Sequence, residues 1–207
     1  MSTDPIKPVP APRPNVNDRR PAPAAPAPAP TPAAPAAQPP SDTREDVTKQ
    51  LPPLGTRTLT DILDYLCRPF HLGWIELKPG ATTKDKTRAL ALAYVDTRIY
   101  QKRLDFLAGV GGWSAHFEPW GPTRIICRLT ILGVTKEATG EGSPNDENCG
   151  TITEAQAFKR ACSAFGCGRY LYDLPSVWAP WSQEERQFVD AAGAARQIYE
   201  QAGLLGK

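Results

Sequence analysis

Lys159 and Arg160 stand side by side, followed by Arg169 and then by Tyr170 and Tyr172. Lysine and arginine are permanent donors with no acceptor, and phenol rings present flat apolar faces. Together they suit the holding of an anion beside something planar. A second group lies upstream, where Lys84, Lys86 and Arg88 alternate and Tyr94 follows six residues on. In an extended chain that alternation puts all three cations on one side. Single-stranded nucleic acid is held in this way, by cations that follow phosphates and aromatic faces that accept bases. The competing reading is structural: a solvated helix face for Lys159 and Arg160, and core packing with a wet hydroxyl for Tyr170 and Tyr172.

Catalytic patterns are scarce. The only histidines are His71 and His116, and neither is tied by spacing to a nucleophile. The five cysteines, at 67, 127, 149, 162 and 167, contain no C-x-x-C pair, so no zinc site is indicated. Gly109, Gly111 and Gly112 lack the spacing of a dinucleotide loop, and no phosphate-binding G-x-x-x-x-G-K run occurs. No cofactor is expected. A metal-dependent nuclease would need Asp96, Asp105, Asp146 and Glu147 gathered by folding.

The elements that position these cations can be read from periodicity. Thr153 with Gln156 fits a capping box, Phe158, Ala161, Cys162 and Phe165 form one apolar stripe, and Gly166 stands at a left-handed C-cap. Lys159 and Arg160 then fall at the edge of that stripe. Upstream, Thr58 and Asp61 cap a helix bearing Leu59, Ile62, Leu63 and Leu66, ended by Pro69. Pro79-Gly80 predicts a turn, and Lys84 to Tyr94 a strand. Asp96 or Thr97 opens a helix to about Ala108, with Tyr100, Leu104 and Leu107 inward and Arg98, Lys102 and Arg103 wet. Trp113 to Glu118, Arg124 to Leu132 and Val134 to Thr139 read as three successive strands. Gly140 to Gly150 reads as an acidic loop. Asp173 to Trp181 reads as a proline-broken aromatic connector, and Ser182 with Glu185 as the cap of a last helix. The fold class is therefore α+β.

Domain organisation follows from composition. Fourteen of the first forty residues are proline, so residues 1–53 read as a disordered Pro/Ala-rich arm. Residues 54–181 are long enough for a core of their own, and 182–207 form a C-terminal helix. The net charge of +2 provides little steering field, so nucleic-acid binding must rest on where cations cluster. The odd cysteine count and the lack of an export signal or an 18-residue apolar run predict a soluble cytoplasmic protein without a membrane partner.

Two segments, YVDTRIYQKRLDFLAGVGGW and EAQAFKRACSAFGCG, resemble the single-strand annealing proteins of the Rad fifty-two/Rad twenty-two family, and the likeness covers roughly residues 58–181. The resemblance implies an N-terminal helix, a β-β-β-α core with an antiparallel sheet packed on a helix, and a ring-like homo-oligomer with single-stranded DNA in a groove. It matches Tyr94 to a groove tyrosine, Lys159 and Arg160 to paired groove cations, and Lys84 to another basic groove position. Lys86, Arg88 and Arg169 would add charge. Ser163 stands where the eukaryotic members carry a further arginine, and the loop after Gly140 is acidic where they carry a lysine. A second, outer DNA site is therefore not implied, with Arg124 and Arg128 only weak substitutes. The implied function is non-enzymatic binding of single strands, with annealing or end protection in double-strand break repair. Two other readings stay open: an interaction scaffold that recruits repair partners through the arm and the aromatic connector, and the nuclease.

Overall fold

The computed structural model describes residues 51–205. Residues 1–50, and with them nearly all of the expected arm, lie outside the described residues. Four helices and seven strands are arranged in two antiparallel sheets.

Helix α1 (Leu59–Cys67) starts at Thr58 through the expected reciprocal capping box with Asp61 and buries Ile62 and Leu66, while Leu63 is exposed. Strand β1 (Ile75–Thr82) pairs with β2 (Arg88–Val95). The turn predicted at Pro79-Gly80 is instead a register shift inside β1, an irregularity that lets a strand carry proline and glycine. The hairpin turns at 83–87, where the Asp85 carboxylate accepts hydrogen bonds from Thr83 Oγ1 and from both the N–H and the hydroxyl of Thr87. Beyond β2, Asp96 caps helix α2 (Thr97–Ala108), which ends at Gly109 with φ +80°. Its Arg103 is not wet as predicted. The guanidinium lies over the Phe70 ring and donates to the carbonyls of Leu66, Arg68 and Pro69, taking up acceptors left open at the end of α1.

Strands β3 (Trp113–Pro119), β4 (Arg124–Ile131) and β5 (Val134–Glu141) form the second sheet in that order. Leu132 and Gly133, both at positive φ, make the two-residue turn between β4 and β5. Cys127, Leu129 and Ile131 point inward against helix α3 (Cys149–Ala164). Helix and sheet meet most closely at Gly140, where an added Cβ would sit 2.1 Å from the Thr153 carbonyl oxygen and 2.8 Å from the Ala157 nitrogen. This is the β-β-β-α core.

The predicted capping box at Thr153 and Gln156 does not form. Helix α3 begins at Cys149, so buried Thr153 sits inside it, its hydroxyl donating to the Cys149 carbonyl at 2.6 Å, while Gln156 Oε1 accepts from Glu141 N at 2.7 Å. The pattern matched, but the apolar stripe extended one turn further back. The other end is as expected: Gly166 is left-handed, and the N–H groups of Gly166 and Cys167 reach the Ser163 and Cys162 carbonyls.

The stretch predicted as a connector is strand β6 (Val177–Ser182), paired with β2 and followed by β7 (Gln187–Phe188). Prolines are tolerated there because Val177 and Ala179 alternate inward while Trp178 and Pro180 face out. Ser182 bonds Glu185 in the β6–β7 turn rather than capping a helix; helix α4 (Ala191–Gln201) is capped by Asp190. Its Ala194, Ile198 and Tyr199 pack with Ala89, Ala91, Val177 and Ala179, so α4 covers one face of the four-stranded sheet β1-β2-β6-β7. The Tyr199 hydroxyl donates to the Phe70 carbonyl, tying α4 to the larger core.

Candidate nucleic-acid interface

Strand β2 carries the site, because its two faces differ. Ala89 and Ala91 lie under α4, and small residues are what a helix packed close on a sheet requires. Arg88, Leu90, Leu92 and Tyr94 point the other way, and no apolar cluster among the described residues includes Leu90 or Leu92. Across the strand pairs, Glu76 lies opposite Tyr94, Lys78 opposite Leu92, Trp178 opposite Leu90 and Pro180 opposite Arg88. Directly paired residues share a face. The outer face of this sheet is thus an apolar strip edged by Lys78 and Arg88.

Helix α3 reaches this face at one end. Lys159, half-buried, donates from Nζ to the Val95 carbonyl at 3.4 Å and stands 5.7 Å from the centre of the Tyr94 ring. Burial lowers its pKa and the neighbouring Lys78 lowers it further, while Asp96 and Glu76 act the other way. The Tyr94 hydroxyl donates to Glu76 Oε2 at 2.5 Å, and burial together with that carboxylate raises the phenol's pKa, so the ring stays neutral. Burial would raise the Asp96 carboxyl, but hydrogen bonds from Arg98 and the charges of Arg98 and Lys159 outweigh it and keep it below the usual value.

Of the predicted site residues, the structure brings Tyr94 and Lys159 together. Lys84 and Lys86 do not form a row with Arg88, because they lie in the 83–87 turn and Lys86 adopts φ +58°, so the strict alternation of an extended chain is lost. Strand β2 separates Arg88 from Tyr94 by about 20 Å, so this cationic group occupies the opposite end of the face from Lys159. Arg160 is exposed on the next position of α3, with Nη1 on the Thr139 carbonyl at 2.9 Å. Arg169 caps the end of α3, donating to the Ser163 and Ala164 carbonyls at 2.9 and 3.0 Å, where Lys136 also reaches Ala164 at 2.7 Å. Of the two tyrosines after it, Tyr170 is engaged with Tyr199 and Phe70, and Tyr172 is 66% exposed.

Sequence reasoning missed Lys78. It lay in a segment read as loop and turn, and only the register of β1 on β2 shows that it shares a face with Leu92 and Tyr94. The alternation of Ile75, Leu77 and the exposed residues between them was the available signal.

A cleft of about 690 Å³ lies beside this region, between α2, β3 and α3. Its lining includes Trp113, Phe117 and Phe158, but its one cation, Arg98, is paired with Asp96 at 2.9 Å, and Glu154 adds another acid. It is poorly suited to phosphate. Among the described residues no three His, Cys, Asp or Glu side chains gather as a metal site, and no helix is long and apolar enough to cross a membrane.

Residues 58–189 match the model of the Rad52/22 family double-strand break repair protein. The chain belongs to this family. It is 40% identical over 132 residues to the single-stranded DNA-binding protein DdrA of Deinococcus deserti, covering 62% of this chain and 65% of that protein. To the protein of the same name from Deinococcus radiodurans it is 39% identical over 131 residues, covering 62% of each. The chain therefore spans a little under two thirds of the length of the relatives it matches. No solved structure matches it.

Proposed function

We propose that this protein binds single-stranded DNA along the outer face of the β1-β2-β6 sheet, and that its task is annealing or protection of strands during double-strand break repair, without catalysis. The observation that carries this is the uncovered strip of Leu92 and Tyr94 with Lys159 over the tyrosine and Lys78 beside it, Lys78 having no ion pair among the described residues. Phosphates meet the ammonium groups and bases meet the apolar strip. Membership of a break-repair family, with relatives named for single-stranded DNA binding, supports the same reading.

Arg160 continues the cationic edge along α3, while Lys84, Lys86, Arg88 and Arg169 supply supporting charge. The binding unit, residues 54–181, is completed by α4, which covers the inner face of its sheet. Assembly into a homo-oligomeric ring, recruitment of repair partners by residues 1–53 and a cytoplasmic, nucleoid-associated location belong to the same proposal. Binding of a labelled single strand and of its duplex, measured with wild type and with Lys159→Ala combined with Arg160→Ala, tests it. Salt-sensitive binding that favours the single strand and is weakened in the variant is expected; a wild type that binds neither, or a variant that binds normally, would contradict it.

A further inference from the structure

The end of the sheet furthest from Lys159 has its own aromatic residue. Trp178, on β6, lies directly opposite Leu90 and is 42% exposed, while Val177 and Ala179 on either side of it are buried under α4. Tryptophan in a strand ordinarily goes to the covered face, where its large apolar area is removed from water. Here β6 puts the two small residues inward and the indole outward. No aromatic or cationic group among the described residues stacks on its ring. Its backbone is held, since Arg88 Nη2 donates to the Trp178 carbonyl at 2.5 Å and β2 pairs with β6 from Arg88 to Ala91. Gly80, on the far side of β2, lies against Leu90 and Leu92, where an added Cβ would come within 3.4 Å of each. This keeps the strip low and open.

We propose that Trp178 and Leu90 form a second nucleobase platform, continuous with the Tyr94 end of the same face, on which a further base of the bound single strand stacks. The proposal rests on the single-strand reading above and extends it to a residue outside the paired-cation site. Two features select nucleic acid as the occupant. The strip runs without interruption from Tyr94 through Leu92 and Leu90 to Trp178, and the charge around the far end is cationic, with Lys84, Lys86 and Arg88 against Asp85. Asp85 is itself enclosed by Thr83 and Thr87, which leaves the three cations the exposed partners for phosphate. An indole needs no base-specific hydrogen bond to accept a base, so the platform is sequence-tolerant.

The test compares an oligo(dT) with an abasic oligonucleotide of equal length and charge, using the full chain as wild type, Trp178→Ala and Trp178→Phe. Light scattering on each gives the assembly mass. Wild type is expected to prefer oligo(dT). Trp178→Ala should lose roughly 5- to 150-fold in oligo(dT) affinity, the usual range for one stacked base, while abasic binding and the salt slope stay unchanged. Trp178→Phe should keep most of the affinity. Unchanged oligo(dT) binding by Trp178→Ala, beside a wild type that binds tightly, would overturn the platform alone. Equal losses on both oligonucleotides with a smaller assembly mass would also overturn it, and assign the face to a second copy of this chain. A wild type that binds neither oligonucleotide would overturn this proposal together with the single-strand reading.

Discussion

The two sheets present outward faces built from similar residues but differently partnered. On the three-stranded sheet Arg124 pairs with Glu141 at 2.9 Å, and Arg128 sits between Glu118 and Glu137, directly across the strands. Two arginines there face three glutamates. On the four-stranded sheet Lys78, opposite Leu92, and Arg88, opposite Pro180, have no carboxylate in an ion pair, and Lys159 arrives over Tyr94 from α3. A cation already held by a carboxylate across the strand gains little from a phosphate, whereas an unpaired one beside apolar rings gains counterion release as well as contact. The cross-strand partner, more than the number of cations, separates a solvated face from a binding face. This also explains why Arg124 and Arg128 are weak candidates for a second DNA site.

The largest effect that would sharpen the comparison is a charge reversal. Lys159→Glu should reduce single-strand affinity by at least about tenfold, since it removes one phosphate contact and sets a like charge beside the strand; an electrophoretic titration measures it. Next is a steric change that leaves all charges in place. Gly140→Ala forces a methyl group into the α3 backbone and should destabilise the fold by about 1–3 kcal/mol, read as a lowered denaturant midpoint. If stability were unchanged, the close seating of α3 on β5 that aims Lys159 would be wrong.

A pH series gives a finer distinction. Burial lowers the pKa of Lys159, so its charge is lost below the ordinary lysine value of 10.5 as pH rises. Binding should therefore weaken in alkaline solution in wild type before the exposed lysines titrate, and Lys159→Arg should remove that early step. The stability effect has the opposite sense. The folded state holds fewer protons than the unfolded one over that interval, so this group's cost to stability fades as pH rises. The smallest effect is expected on the other sheet, where Arg128→Ala should leave single-strand affinity unchanged and alter stability by no more than about 1 kcal/mol, because its ion pairs are exposed.

Much of this arrangement was legible where one apolar stripe met one punctuator. The capping box at Thr58, the β3-β4-β5 meander and the glycine end of α3 all follow local rules. Errors came where tertiary pairing overrides local signals. Pro79-Gly80 and the prolines of β6 read as breaks, yet each lies in a strand whose neighbours supply enough bonds to keep it. Lys84, Lys86 and Arg88 alternate in sequence, but the Asp85 turn takes two of them out of the strand. Arg103 looked solvated on its helix because the carbonyls that hold it belong to the end of α1, more than thirty residues earlier. Lys78 and Trp178 became visible only through register, since periodicity assigns a residue to a face but not to its neighbour on the next strand.

The most direct measurement is the salt dependence of single-strand binding for three proteins side by side: wild type, Lys78→Ala with Lys159→Ala, and Arg124→Ala with Arg128→Ala. The first variant should lower the slope by about 2, one unit for each lost phosphate contact, and the second should leave it unchanged. A slope that falls in the arginine variant and not in the lysine variant would place the strand on the three-stranded sheet and contradict the assignment of the face.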